Sequence, residues 1–140
     1  MISRAIDVLA RLPWRYMKHR LDALGRLFPA PWPEGHEVLI EGVQPAAIER
    51  RLRGGHWEGT EFAAHYEGEV AGVRRPDGVG PVGDHGARAP TELHARLRPR
   101  PGGTGVVVHR EYSRYEAPGL HLDEHLEWLG EGEVRDLVDR

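Results

Sequence analysis

Three prolines in five residues, Pro29, Pro31 and Pro33, constrain this chain more than any other feature. Proline fixes φ, removes a backbone donor and pushes its predecessor out of the helical region, so residues 29–35 read as a stiff, extended linker. A helix cannot run through such a segment. The expected organisation is a helix over residues 1–28, the linker 29–35, and a single domain over residues 36–140. Trp32, inside the linker, is expected to pin it to the domain surface.

Before the linker, Ile2, Ile6, Leu9, Pro13, Met17, Leu21, Leu24 and Phe28 recur at steps of three and four, one face of a helix. Ser3 suits the cap, and Pro13 should kink the helix after Leu12. The opposite face carries Arg4, Arg11, Arg15, Lys18, His19, Arg20 and Arg26 against Asp7 and Asp22. This is a basic amphipathic helix. Its candidate interaction residues are Arg11, Trp14, Arg15 and Lys18, joined by Trp32 of the linker. The expected occupant of the apolar stripe is the chain's own domain, a protein partner or a second copy in a homo-oligomer. A membrane surface is the second choice.

The basic face does not make a nucleic-acid binder. The chain has eighteen arginines but one lysine and no asparagine, the signature of GC-rich codons, and its formal net charge is −3 at pH 7. A nucleic-acid domain usually carries a net basic charge. Arg110, Tyr112, Arg114 and Tyr115 interleave cations and aromatics in the manner of a base-stacking surface, the weaker alternative. With no cysteine, disulfides and thiolate metal sites are excluded. No apolar run reaches membrane-spanning length. Arg4, Asp7 and Arg11 interrupt the start of the chain, so no secretory signal is expected and the expected location is cytoplasmic.

After the linker the pattern is that of an α+β fold, a largely antiparallel sheet of about five strands with flanking helices. Val38-Leu39-Ile40 is a short buried strand. Pro45–Arg53 is a helix with proline in its first turn, closed by Gly54-Gly55. Thr60–Glu67 alternates as a half-buried strand, and Val70–Arg74 returns from it. Residues 76–90, rich in Gly and Pro, read as a long loop. Thr91–Arg98 alternates Leu93, Ala95 and Leu97 with Glu92, His94 and Arg96, and after a turn over Pro99–Gly105 its partner is Val106–Ser113. Leu120–Leu129 and Glu133–Val138 read as helices.

Two constellations carry chemistry. His121-Leu122-Asp123-Glu124-His125 spells H-x-x-E-H; on a helix both imidazoles reach one zinc ion, and Glu124 serves as general base. The second depends on register. If Leu97 faces Val106, then His94 faces His109 and Glu92 faces Glu111. Two imidazoles and two carboxylates then share one sheet face, with His65 within reach from the neighbouring hairpin. Such a patch binds a divalent metal, works as an acid/base pair, titrates near neutral pH, or is a solvated sheet face. Carboxylate pairing is expected to raise the imidazole pKa values.

Hydroxyl nucleophiles are scarce: Ser3, Ser113, Thr60, Thr91 and Thr104 are all there are. The reading these features favour is a non-catalytic, cofactor-free protein-interaction module docking through its N-terminal helix. The alternative is a small metal-dependent hydrolase holding zinc or another divalent metal through His121 and His125. In it His94 or His109 completes the coordination, and Glu124, Glu92 and Glu111 are the candidate acids and bases.

Overall fold

The computed structural model describes residues 29–60, 66–113, 116, 117, 120 and 125–139, with the backbone alone at 125 and 126. The helix expected over 1–28, with Arg11, Trp14, Arg15 and Lys18, lies outside them. The described chain is α+β: a six-stranded antiparallel sheet with two helices on one face.

The centre of the sheet is a long hairpin. Strands β4 (Ala87–Arg100) and β5 (Gly103–Tyr112) pair from Thr91↔Tyr112 to Arg100↔Gly103. Only Pro101 and Gly102 make the turn. Proline presets one central residue, and Gly102 adopts φ +80°, a value that a side chain would strain. This tight turn fixes the register: Leu97 faces Val106, His94 faces His109, and Glu92 faces Glu111.

Outside the hairpin, β1 (Val38–Glu41) pairs with the first half of β5. Strand β6 (His125–Trp128) pairs with the second half, with a register shift between Arg110 and Glu111. On the other side, β3 (Ala71–Val82) pairs with β4, and β2 (Glu58–Gly59) pairs with β3.

Two expectations are corrected here. Residues 76–90 do not form a long loop. β3 runs to Val82, β4 starts at Ala87, and the turn is only Gly83–Gly86. Beyond Arg74 no described strand lies outside β3, so Pro76 and Pro81 cost no ladder bond on that edge. Side-chain periodicity is weak because little of this arm is buried on either face. The second correction concerns 120–129: residues 125–128 are strand, not helix. They take up the donors and acceptors of β5 that β1 leaves uncovered.

Helix α1 (Pro45–Gly54) has proline in its first turn and ends where the Gly55 N–H donates to Leu52 O at 2.8 Å. Ile48 and Leu52, one turn apart, are both buried. Helix α2 (Glu131–Asp139) buries Val134 and Val138 at the same spacing. These four side chains, with Trp57 and Leu129, cover the apolar face formed by Val38, Ile40, Val73, Leu93, Ala95, Leu97, Val106 and Val108. Alternation sends the neighbouring residues to the other face: Gly72 and Arg74 of β3, Glu92, His94, Arg96 and Arg98 of β4, and Gly105, Val107, His109 and Glu111 of β5.

The proline segment packs on the sheet through Trp32. Its ring is 6% exposed, lies 4.5 Å below the Arg98 guanidinium and meets Tyr66 edge-on at 6.1 Å. Ala30 bridges to Tyr66, and a 3₁₀ turn at Glu34–His36 follows. Residues 61–65, including His65, lie outside the description; Thr60 extends the line of β2 through its N–H to Gly72 O, 3.1 Å.

Candidate functional site

The second sheet face is buried, not solvated. Glu92 and His94 are fully inaccessible, His109 is 3% exposed and Glu111 8%. Burying this many polar groups is costly unless each is paired, and the face is built as a set of charge pairs. Arg74 Nη1 donates to Glu92 Oε2 at 2.8 Å and Nη2 to Glu58 at 3.0 Å. Arg96 Nη1 donates to both oxygens of Glu69, at 3.0 and 2.8 Å, while its guanidinium covers the Tyr66 ring. Arg98 and Arg100 hold Glu37 and Glu34.

Two glycines make room for these carboxylates. A Cβ on Gly105 would fall 2.6 Å from the Glu37 carboxyl carbon, and one on Gly72 would fall 2.9 Å from Glu69 Oε1. Both glutamates lie across the sheet where a side chain is missing.

At the centre, Glu111 joins the two histidines. His94 Nδ1 lies 3.1 Å from Glu111 Oε1, and His109 Nε2 lies 2.9 Å from Glu111 Oε2. The imidazole rings are 5.2 Å apart, tilted by 51°. Trp128 meets the His109 ring edge-on at 5.0 Å, and exposed His36 stacks on Trp128 at 4.7 Å. Each of His94, His109 and Glu111 offers a ligand atom, all within 4.8 Å of one another. Around a tetrahedral ion with bonds of about 2.0–2.2 Å, ligand atoms stand about 3.3–3.6 Å apart. The two His–Glu111 contacts are a little shorter than this and the three ligand atoms span up to 4.8 Å, so holding an ion requires the imidazoles and the carboxylate to rearrange around it.

The expected rise of the imidazole pKa values is corrected for His94, which is held well below the ordinary imidazole value. Burial is the largest cause and the Arg96 guanidinium the next, with His109 adding to them; together they outweigh the hydrogen bond and charge of Glu111. His94 is therefore neutral at pH 7, with its Nδ1–H directed to Glu111. Its Nε2 is buried with no hydrogen-bond partner.

Of the residues singled out in the sequence, the structure brings together His94, His109 and Glu111, with Glu92 beside them on the Arg74 pair. His121 and Glu124 lie outside the described residues. His125 belongs to β6, where its position is opposite Glu111. A strand does not supply the i, i+4 face that the H-x-x-E-H reading requires. Arg74 and Arg96 were missed as site residues, although each follows a residue of this face, Gly72 or His94, at the i, i+2 spacing that puts it on the same side. Thr60, Glu69 and Gly72 carry no local signal. Comparison with protein-family models, curated proteins and solved structures finds no match. The functional reading rests on the residues themselves.

Proposed function

We propose that this domain binds a divalent transition metal, zinc in the first instance, through His94, His109 and Glu111. One observation carries the reading: two imidazoles and a carboxylate from adjacent strands converge in a buried position with their ligand atoms within 4.8 Å. Metal ligation requires neutral imidazole and ionised carboxylate, and the low proton affinity of His94 supplies the first. A nitrogen- and oxygen-rich set of this kind suits zinc. Three protein ligands leave one position of a tetrahedral ion to a further group, and the burial of all three limits the access of a substrate to it. The proposed site is not the hydrolase centre expected on His121 and His125; it keeps only the His94, His109 and Glu111 part of that reading. The docking role of residues 1–28 is a separate proposal, carried by their apolar stripe and basic face.

The full chain, stripped by chelator and titrated with zinc in a calorimeter, should take up one equivalent. Its melting temperature should rise with zinc, because at a hundredfold excess over Kd a native-state ligand adds about 2.7 kcal/mol. His109→Ala should abolish both effects. A wild-type chain that takes up no stoichiometric zinc overturns the reading.

A further inference from the structure

The second nitrogen of His94 points to a further part of the site. Nε2 is inaccessible and has no hydrogen-bond partner, while Nδ1 faces Glu111. On the Nε2 side lies the backbone of Gly72. The point where a Cβ would stand on Gly72 is 2.7 Å from Thr60 Oγ1, 2.9 Å from Glu69 Oε1 and 3.8 Å from His94 Nε2. The missing side chain thus gathers a hydroxyl, a carboxylate oxygen and an imidazole nitrogen around one spot. Thr60 is held there by its N–H to Gly72 O, and Glu69 by Arg96 and by the Tyr66 N–H at 2.9 Å.

We propose that Thr60 and Glu69, admitted by Gly72, are positioning residues of the metal centre that accept the Nε2–H of His94 when its Nδ1 coordinates the ion. The inference rests on the metal-binding reading. An ion on the Glu111 side needs the Nδ1 lone pair. The Nδ1 proton must then leave that nitrogen, and the neutral ring carries its one proton on Nε2 instead. A metal-bound imidazole regularly gives its other N–H to a carboxylate, carbonyl or water, which fixes the ring and raises its basicity. Thr60 and Glu69 are the acceptors gathered on that side; neither bonds Nε2 in the hydrogen-bonded triad, and a turn of the ring toward the ion or one intervening water makes the link. Losing such an outer partner commonly costs 10–100-fold in metal affinity.

The test combines two readouts on the full chain. In ¹⁵N-histidine NMR spectra of the zinc-loaded wild type, His94 should carry its proton on Nε2. In chelator competition, Thr60→Val, Glu69→Gln and Gly72→Ala should each bind zinc at least tenfold more weakly, with one equivalent still bound at saturation. Thr60→Val is isosteric at a part-buried position, and the tautomer readout needs no variant, so the test survives unfolding of the other two. If zinc binds with the His94 proton on Nδ1, or if Thr60→Val binds as tightly as wild type, the positioning role is overturned and the metal site stands. If the wild type binds no zinc, both fall.

Discussion

The two faces of the sheet are buried to a similar extent by opposite means. On one, Leu93, Ala95, Leu97, Val106 and Val108 meet the apolar sides of α1 and α2. On the other, Glu92, His94, Arg96, His109 and Glu111 are as inaccessible but are joined by directed pairs. Apolar burial is non-directional and scales with area, so that face accepts any well-shaped filling. The polar face must match donors to acceptors, and a register slip of one residue would exchange the two faces. The lesson is that the core face supplies the stability and the polar face specifies position. The candidate metal centre lies where position is most tightly set.

The largest effect should come from breaking a buried pair on the polar face. Arg96→Met leaves the Glu69 carboxylate, 3% exposed, without its guanidinium. Removing one partner of a buried pair costs about 3–5 kcal/mol, because the other charge stays desolvated. Arg96→Met/Glu69→Leu should recover at least half of that loss. Urea denaturation of the three proteins measures it. A single variant costing less than about 1 kcal/mol, the worth of a surface pair, would mean that this face is not held by its ion pairs.

The core face should answer more gradedly. Leu97 is fully buried, so Leu97→Ala should cost about 2–5 kcal/mol through lost transfer energy and a residual cavity. Leu97→Met, which keeps the volume, should cost less than about 1.5 kcal/mol. If the methionine variant were as damaging as the alanine variant, the two faces would not differ in tolerance, and the contrast would fail.

The same contrast explains what the sequence disclosed. The His94–His109 register was legible because the Leu93/Ala95/Leu97 alternation and the Val106–Val108 run allow few pairings, although the turn is Pro101 and Gly102 alone and not the Pro99–Gly105 span expected. The burial of that face was not legible, because part of its cover comes from Trp32 and Tyr66, far away in sequence. Proline and glycine hid the 76–90 arm. An edge ladder is made by the backbone and needs no apolar period. The segment ending at Trp128 misled because its apolar spacing suits a helix, while the uncovered edge of β5 recruits it as a strand. Glu69 was invisible because its place depends on a missing side chain at Gly72.

The smallest effect expected is in the pH dependence of stability. The histidine is enclosed by Arg96 on its own strand and by His109 and Glu111 on the next, and burial with Arg96 holds its pKa well below the usual value. In the unfolded chain it titrates near 6.5. Above about pH 6.5 it is neutral in both states and costs nothing. As pH falls below that value the unfolded chain takes up a proton that the folded chain refuses. Stability then drops by up to about 1.4 kcal/mol per pH unit, until the folded value is reached. Urea midpoints of the metal-free full chain should therefore fall between pH 6.5 and 5.5 relative to His94→Gln, which has no proton to take up. Carboxylate control of the ring would give the reverse, a wild type that gains on the variant as pH drops. That outcome would mean that Glu111 outweighs burial and Arg96, and that the polar face titrates like a solvated patch despite its enclosure.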